Sequence, residues 1–244
     1  MLAAASAPWA AQAGPREDFL AGRTRACPSC DLSGSNFKRY DLAGVDLSGA
    51  DLRDVNFHDA NLAGAHLAKA DLTGANLNKA DLRRADLAGA NLHEVMLYAA
   101  VLDGASLAGA DLTNALMGTA RFTRSDLTKA ILRHVDLRKA RLPDAVLLGA
   151  DLSMAALDFG VLRGAKLDGA VLTDARMIGA EFSEASLIGA DLANADASGA
   201  NFRGANLSRA NLAGTSFRKG DMYDTVLDDA IFRDTTMPDG TSRP

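Results

Sequence analysis

From Leu32 to Met237 a bulky apolar residue returns at every fifth position, and the register never slips. The series opens Leu32, Phe37, Leu42 and closes Leu227, Phe232, Met237; of its 42 members 30 are Leu, 7 are Phe and 4 are Met, with Ala197 the one exception. A period of five fits neither the 3.6 of a helix nor the 2 of a strand. It fits a short extended segment followed by a sharp corner. Two residues before each central residue stands a small one, as at Ala50, Ala60, Ala65 and Ala70. One residue before it stands Asp or Asn in 22 of the 42 units. Two residues after it Gly is common, and 16 of the chain's 22 glycines fall there. Gly at the third place of a four-residue corner is what a type II turn asks for, because φ is positive at that place. Four such corners close a square coil. The small and central residues then point inward, and the rest face solvent.

These units resemble those of the pentapeptide-repeat family, which read A-(D/N)-L-x-x. Ala-Asp-Leu-Thr-Gly from Ala70 to Gly74 and Ala-Asn-Leu-Ala-Gly from Ala60 to Gly64 match closely. The resemblance runs from Cys30 to Met237, about 85% of the chain. It implies an all-β solenoid, a right-handed quadrilateral β-helix. Coils stacked about 4.7–4.9 Å apart would number about ten and form a rod roughly 50 Å long. Ladders of like side chains follow: Leu32, Leu52, Leu72, Leu92, Leu112 and Leu132 on one side, Phe182 over Phe202 on another. Ala197 is expected to leave a local void between Met177 and Phe217.

The two ends read differently. Residues 1–13 are small and apolar and finish Ala11-Gln12-Ala13, an A-x-A pattern of the signal-peptidase kind, but lack a basic start. A secretory signal beginning upstream of Met1 and a disordered Ala-rich leader both fit, and the first places the protein in the periplasm or outside the cell. Residues 14–29 read as a short helical N-terminal cap. Pro15 suits the first helical position, Glu17 and Asp18 the first turn, Arg23 and Arg25 the last, while Gly22 weakens the helix. Such a cover keeps the top of a repeat stack from solvent. Residues 30–237 form the repeat body, and 238–244 are expected to be a disordered tail. A bottom coil without a cap is open to end-to-end pairing as a homodimer.

Composition narrows the role. Hydrophobic residues are 48% and aromatic residues 5%, so Leu and Ala must line the interior. A net charge of −5 does not suit direct nucleic-acid binding, which needs a basic surface to neutralise phosphates. No run of eighteen apolar residues calls for membrane insertion.

Cys27 and Cys30 fall at a central and a small inward position, at the two ends of one corner. A β-turn holds its ends within about 7 Å, close enough for a disulfide. An exported protein favours the bond; a cytoplasmic one favours two buried thiols. His58, His66, His93 and His134 lie on different faces or at least two coils apart, and no nucleophile elbow, phosphate loop or metal-ligand cluster occurs, so neither catalysis nor a cofactor is expected.

Two outward features stand out. One face carries Asp31, Asp51, Asp71, Asp111, Asp151 and Asp191 together with Asp54, Glu94, Asp174 and Asp234; against Arg53, Arg133 and Arg233 it sums to −7, while the other faces sum to +3, −1 and −2. Local hydrogen bonding by Asp before the central residue explains these positions. An acidic stripe that imitates nucleic-acid phosphates is the competing explanation, since the resemblance includes quinolone-resistance proteins thought to mimic DNA on type II topoisomerases. The second feature is apolar: Ile131, Val146, Leu148, Phe159, Val161, Val171, Ile178 and Ile188 all point outward. Leu148 and Ile188 share a face with Val146 beside them, a modest contact patch. The expectation is a non-enzymatic, rod-like scaffold for an unidentified protein partner, with a cytoplasmic topoisomerase inhibitor as the alternative.

Overall fold

One hydrogen-bond rule builds the body of the protein, as the computed structural model, which describes residues 14–244, makes plain. Parallel bridges join residues twenty apart, thirty-nine of them from Ala26↔Asp46 to Ser216↔Thr236. Within this ladder the Leu32 N–H donates to the Asp51 carbonyl and the Asp51 N–H to the Cys30 carbonyl, each at 2.9 Å. Four five-residue units therefore make one coil. The pairing stays a set of single bridges because only one residue per unit lies between corners; no longer run is free to pair. Bridging starts at Ala26, one unit before the expected boundary at Cys30.

Nearly every corner closes in the same way. The central carbonyl accepts from the N–H three residues on, as in Ser35 to Leu32 and Ala60 to Phe57, both at 3.0 Å. The third residue of every corner from Ser29 to Asp234 has φ between +55° and +68°. Glycine accepts that conformation freely, yet 26 of these positions carry another residue. A left-handed L-residue costs about 1 kcal/mol, somewhat less for Asn and Asp. The closed ladder holds each corner in place against that cost.

The inward positions are fully buried along nearly the whole body. Phe182 and Phe202 stack at 5.0 Å with rings 1° from parallel, and Phe37 and Phe57 at 5.5 Å and 16°. Ala197 is buried too, and below it Phe217 turns edge-on to Phe202 at 5.4 Å.

At the N-terminal end α1 spans Pro15–Leu20, with Pro15 in the first turn beside Glu17 and Asp18. Gly22, at φ +68°, ends the helix instead of weakening it. The Gly22 N–H donates to the Phe19 carbonyl and the Arg23 N–H to that of Asp18, the paired bonds of a Schellman stop. The last turn holds no basic residue: Arg23 lies past the helix and pairs with Asp18 at 2.7 Å. Phe19 is buried edge-on against Phe37 at 5.8 Å, so α1 lies on the first coil.

The other end contrasts with this. Met222, Leu227 and Phe232 occupy central positions but are only half-buried. The last residues, expected as a disordered tail, instead turn back: β1 (Thr235–Thr236) pairs antiparallel with β2 (Ser242–Arg243). Arg243 lies 4.3 Å over the Phe232 ring. The hairpin shields part of the final coil and leaves the rest open. The export reading of residues 1–13 lies outside the described residues.

Candidate functional site

With the interior filled, chemistry is left to four outward faces, and the position before each central residue decides what they offer. In all 22 units with Asp or Asn there, a side-chain oxygen accepts the N–H two residues on, at 2.9–3.3 Å. This Asx turn satisfies a corner N–H that no backbone carbonyl of a neighbouring coil accepts. Four units lacking that residue have their N–H satisfied from the coil before: Tyr98 donates to Asn78, Thr123 to Asp103, Ile178 to Asp158 and Ile188 to Asp168. Where Arg141 takes the place of Asp, the residue two on is Pro143, which has no N–H to satisfy. Short acids and amides are thus part of the corner's construction.

The acidic stripe therefore changes character. Asp31, Asp51, Asp71, Asp111, Asp151 and Asp191 do share one face, yet each commits Oδ1 to its own corner. Ser33, Thr73, Thr113 and Ser153 add hydroxyl donors to four of them. Asp51 is paired with Arg53 and Asp151 with Arg133, both at 2.5 Å. Asp191 Oδ1 also accepts from Asn211 Nδ2 at 2.8 Å. Hydrogen bonds from Ser33 hold the Asp31 carboxyl below the usual range, and the Arg53 guanidinium does the same for Asp51. At Asp151 burial pushes the other way, but Ser153 and Arg133 together outweigh it. Only Asp31 of the six is exposed.

The apolar patch around Val146, Leu148 and Ile188 is not borne by the structure as one surface. All three are half-buried, and Asp168 stands between Leu148 and Ile188 in their row, accepting from Ser186 Oγ and the Ile188 N–H. Exposed large apolar side chains occur on several faces, Met154, Tyr223 and Ile231 among them, and three gather on the face of units centred on Leu97, Met117 and Leu157. Tyr98 is 54% exposed, Leu116 51% and Phe159 58%. The first two border a hollow of about 480 Å³ with Met96, Asn78, Arg138 and Lys139. Phe159 borders a second, of about 340 Å³, that shares Arg138 and Lys139. This is the face that sums to +3. A signal for it was present in the chain: Met96 and Leu116 stand at positions where Asp or Asn is usual.

Cys27 and Cys30 are bonded, with Cα atoms 5.4 Å apart across the first corner. His93 faces Glu94 at 3.7 Å and Asn114 at 3.5 Å. Among the described residues no group of three His, Cys, Asp or Glu side chains is placed to hold a metal ion. No described helix is long and apolar enough to cross a membrane.

Several solved structures are similar. HetL, a pentapeptide-repeat protein involved in heterocyst differentiation regulation in the cyanobacterium Nostoc sp. strain PCC 7120, is 34% identical over 93% of this chain and 96% of its own, with a TM-score of 0.76. A pentapeptide-repeat protein of the Arabidopsis thaliana thylakoid lumen is 36% identical over 52% of this chain and 75% of its own, with a TM-score of 0.31. QnrB1, a plasmid-mediated fluoroquinolone resistance protein, is 19% identical over 84% and 92%, with a TM-score of 0.33. The last two likenesses support no argument about role. No curated protein matches the chain. The HetL likeness gives the coil its hand, a right-handed β-helix. Eight copies of the pentapeptide repeat are matched within 30–67, 55–94, 65–104, 120–157, 161–194 and 198–234, and the chain belongs to the pentapeptide-repeat family.

Proposed function

We propose that this protein is a non-enzymatic scaffold, a rod of about ten coils that presents its outward side-chain ladders to a protein partner. The observation that carries the reading is the interior: central and small positions are buried along nearly the whole body, so unit-to-unit variation is confined to the outside. Catalysis needs convergent groups in a preorganised cleft, and flat stacked faces favour surface recognition instead. In this reading α1 caps the first coil, and the half-buried Met222, Leu227 and Phe232 leave the last coil open to a second copy, end to end. The Ala11-Gln12-Ala13 pattern and the bonded cysteines favour an exported protein in an oxidising compartment.

The scaffold reading is tested by placing a photo-reactive phenylalanine analogue at one outward position of each face in turn, within the native cells. Covalent adducts to another protein from one face are expected; adducts from none would sink the reading. For compartment, an export reporter fused to the leader and its upstream region should be secreted. Retention of the reporter in the cytoplasm would remove that placement.

The acidic mimic of DNA is the weaker reading, because the stripe's carboxylates are spent on corners and on arginines. Inhibition of gyrase supercoiling by the purified protein would restore it.

A further inference from the structure

We infer that the basic face carries a docking groove for an extended acidic peptide segment of a partner protein, running along the rod. This rests on the scaffold reading above and names the face and the chemistry it recognises. Tyr98 lies against Gly118, where an added Cβ would touch one edge of its ring at 3.6 Å. Phe159 lies over Gly179 more closely still, at 2.9 Å to such a Cβ. Two aromatic rings are thus laid on glycines, one in each of two adjoining hollows. Of the two coils between them, the one carrying Leu137 contributes Arg138 and Lys139, which line both hollows.

Three features make this a surface built to bind. Phe159 has φ +55°, a conformation costly for a bulky side chain, and at 58% exposure its ring gains little from burial. Leu116 and Met96 take the place of the Asx residue, giving up a corner hydrogen bond for apolar surface; the Gly118 N–H has no such acceptor, and that of Tyr98 depends on Asn78. Basic groups outnumber acidic ones in both hollows. Arg138 is held by Asp136 at 2.6 Å and Arg176 by Asp158 at 2.5 Å, whereas Lys139 joins none of the ion pairs among the described residues. An unpaired ammonium between two aromatic shelves calls for a carboxylate on the ligand.

Spacing defines the ligand further. Tyr98 and Phe159 are about three coils apart, roughly 14 Å along the rod. An extended chain spans that with about four residues. The segment should therefore bear two apolar side chains about four positions apart, with Asp or Glu between them.

The test is selection of a phage-displayed library of random ten-residue peptides on the full-length protein, followed by fluorescence anisotropy with the enriched sequences. Enriched peptides should carry apolar residues flanking acids. Phe159→Gly removes a ring while relaxing the backbone at φ +55°, so its urea midpoint should match wild type, and a loss of binding at an unchanged midpoint reads the ring. It should weaken binding about tenfold, as loss of an aromatic anchor does. Lys139→Glu should weaken it about fivefold or more and lose the weakening by salt that wild-type binding shows. Enrichment of basic peptides, or of none, would overturn the proposal. Peptides lost on Asp71→Lys but indifferent to Phe159→Gly would leave a scaffold standing and remove this groove. Sedimentation showing self-association abolished by Phe159→Gly would assign the face to a second copy instead.

Discussion

The acidic face and the basic face rest on the same backbone, the same corners and the same buried ladders, yet they expose opposite things. On the acidic face, ten carboxylates look like a charged stripe when counted. In the structure, the six before central residues are turned onto their own corners, and two of these are clamped by arginines. On the basic face, Met96 and Leu116 stand at those same positions and expose apolar surface beside Lys139. The lesson is that formal charge misjudges a surface when the fold itself consumes the charged groups. A repeat protein's functional residues are better sought where the repeat's own chemistry is missing.

If the faces differ only outside, then damage inside should be blind to face. Leu112 lies under the acidic face and Leu97 under the basic one, both fully buried. Leu112→Ala and Leu97→Ala should each cost about 2–5 kcal/mol in urea unfolding, and by similar amounts. A large inequality would mean that one face contributes to stability in a way the shared ladder does not explain.

Acid sharpens the comparison next, because its effect sums over many groups. A repelling carboxylate ladder would be relieved by protonation, so stability would rise as pH falls. The hydrogen bonds argue the reverse. Asp31, Asp46, Asp51, Asp81, Asp136 and Asp151 all titrate below the ordinary carboxylate value. A folded pKa lower than the unfolded one contributes stability that is complete above about pH 4 and lost as pH falls through the folded value. The urea midpoint should therefore drop below about pH 4, and Asp136→Asn on the basic face should flatten the decline as Asp151→Asn does on the acidic face. A midpoint that rises in acid would restore the repulsive stripe.

How much of this was legible beforehand depends on whether a feature repeats. Leu32 to Met237 declared the coil, because inward positions recur forty-two times and any slip would expose them. Cys27 and Cys30 fell into the same register and meet across a corner as it requires. The left-handed corners were half legible: glycine marked sixteen of them, but Lys69, Arg84 and Glu94 gave no sign, since strain borne by the ladder leaves no trace in composition. The exposed apolar side chains of the basic face were least legible. Leu148 and Ile188 read as one patch across two coils, but Asp168 stands between them and serves the N–H of Ile188. Tyr98 and Gly118 are one unremarkable residue each, and they become a shelf only when twenty residues of chain return one over the other.

A smaller effect separates construction from display. Asp111 accepts from the Thr113 N–H at 2.9 Å and from its hydroxyl at 2.6 Å. Asp111→Ala should cost about 1 kcal/mol, and Asp111→Asn should recover most of it, because the amide oxygen can still accept. Leu116→Ala, at the equivalent position of the basic face, should cost less than half as much, since its side chain is exposed and serves no corner. Equal losses would mean that Leu116 is structural, and the basic face would lose its claim to be built for binding.

The smallest effect returns to what the two faces share. Glu94 and Lys79 hold the third place of their corners at φ +56° and +60° on the acidic and basic faces respectively. Replacing either with Gly removes about 1 kcal/mol of left-handed strain. It also loosens the unfolded chain, which offsets part of the gain. A net stabilisation of about 0.5 kcal/mol is expected at both sites, small enough to need paired urea curves. The two gains should agree, because the corner is the same backbone on either face. Should Lys79→Gly stabilise and Glu94→Gly destabilise, the approach of Glu94 to His93 at 3.7 Å would be contributing on the acidic side, and the separation between a common frame and its particular surfaces would fail there first.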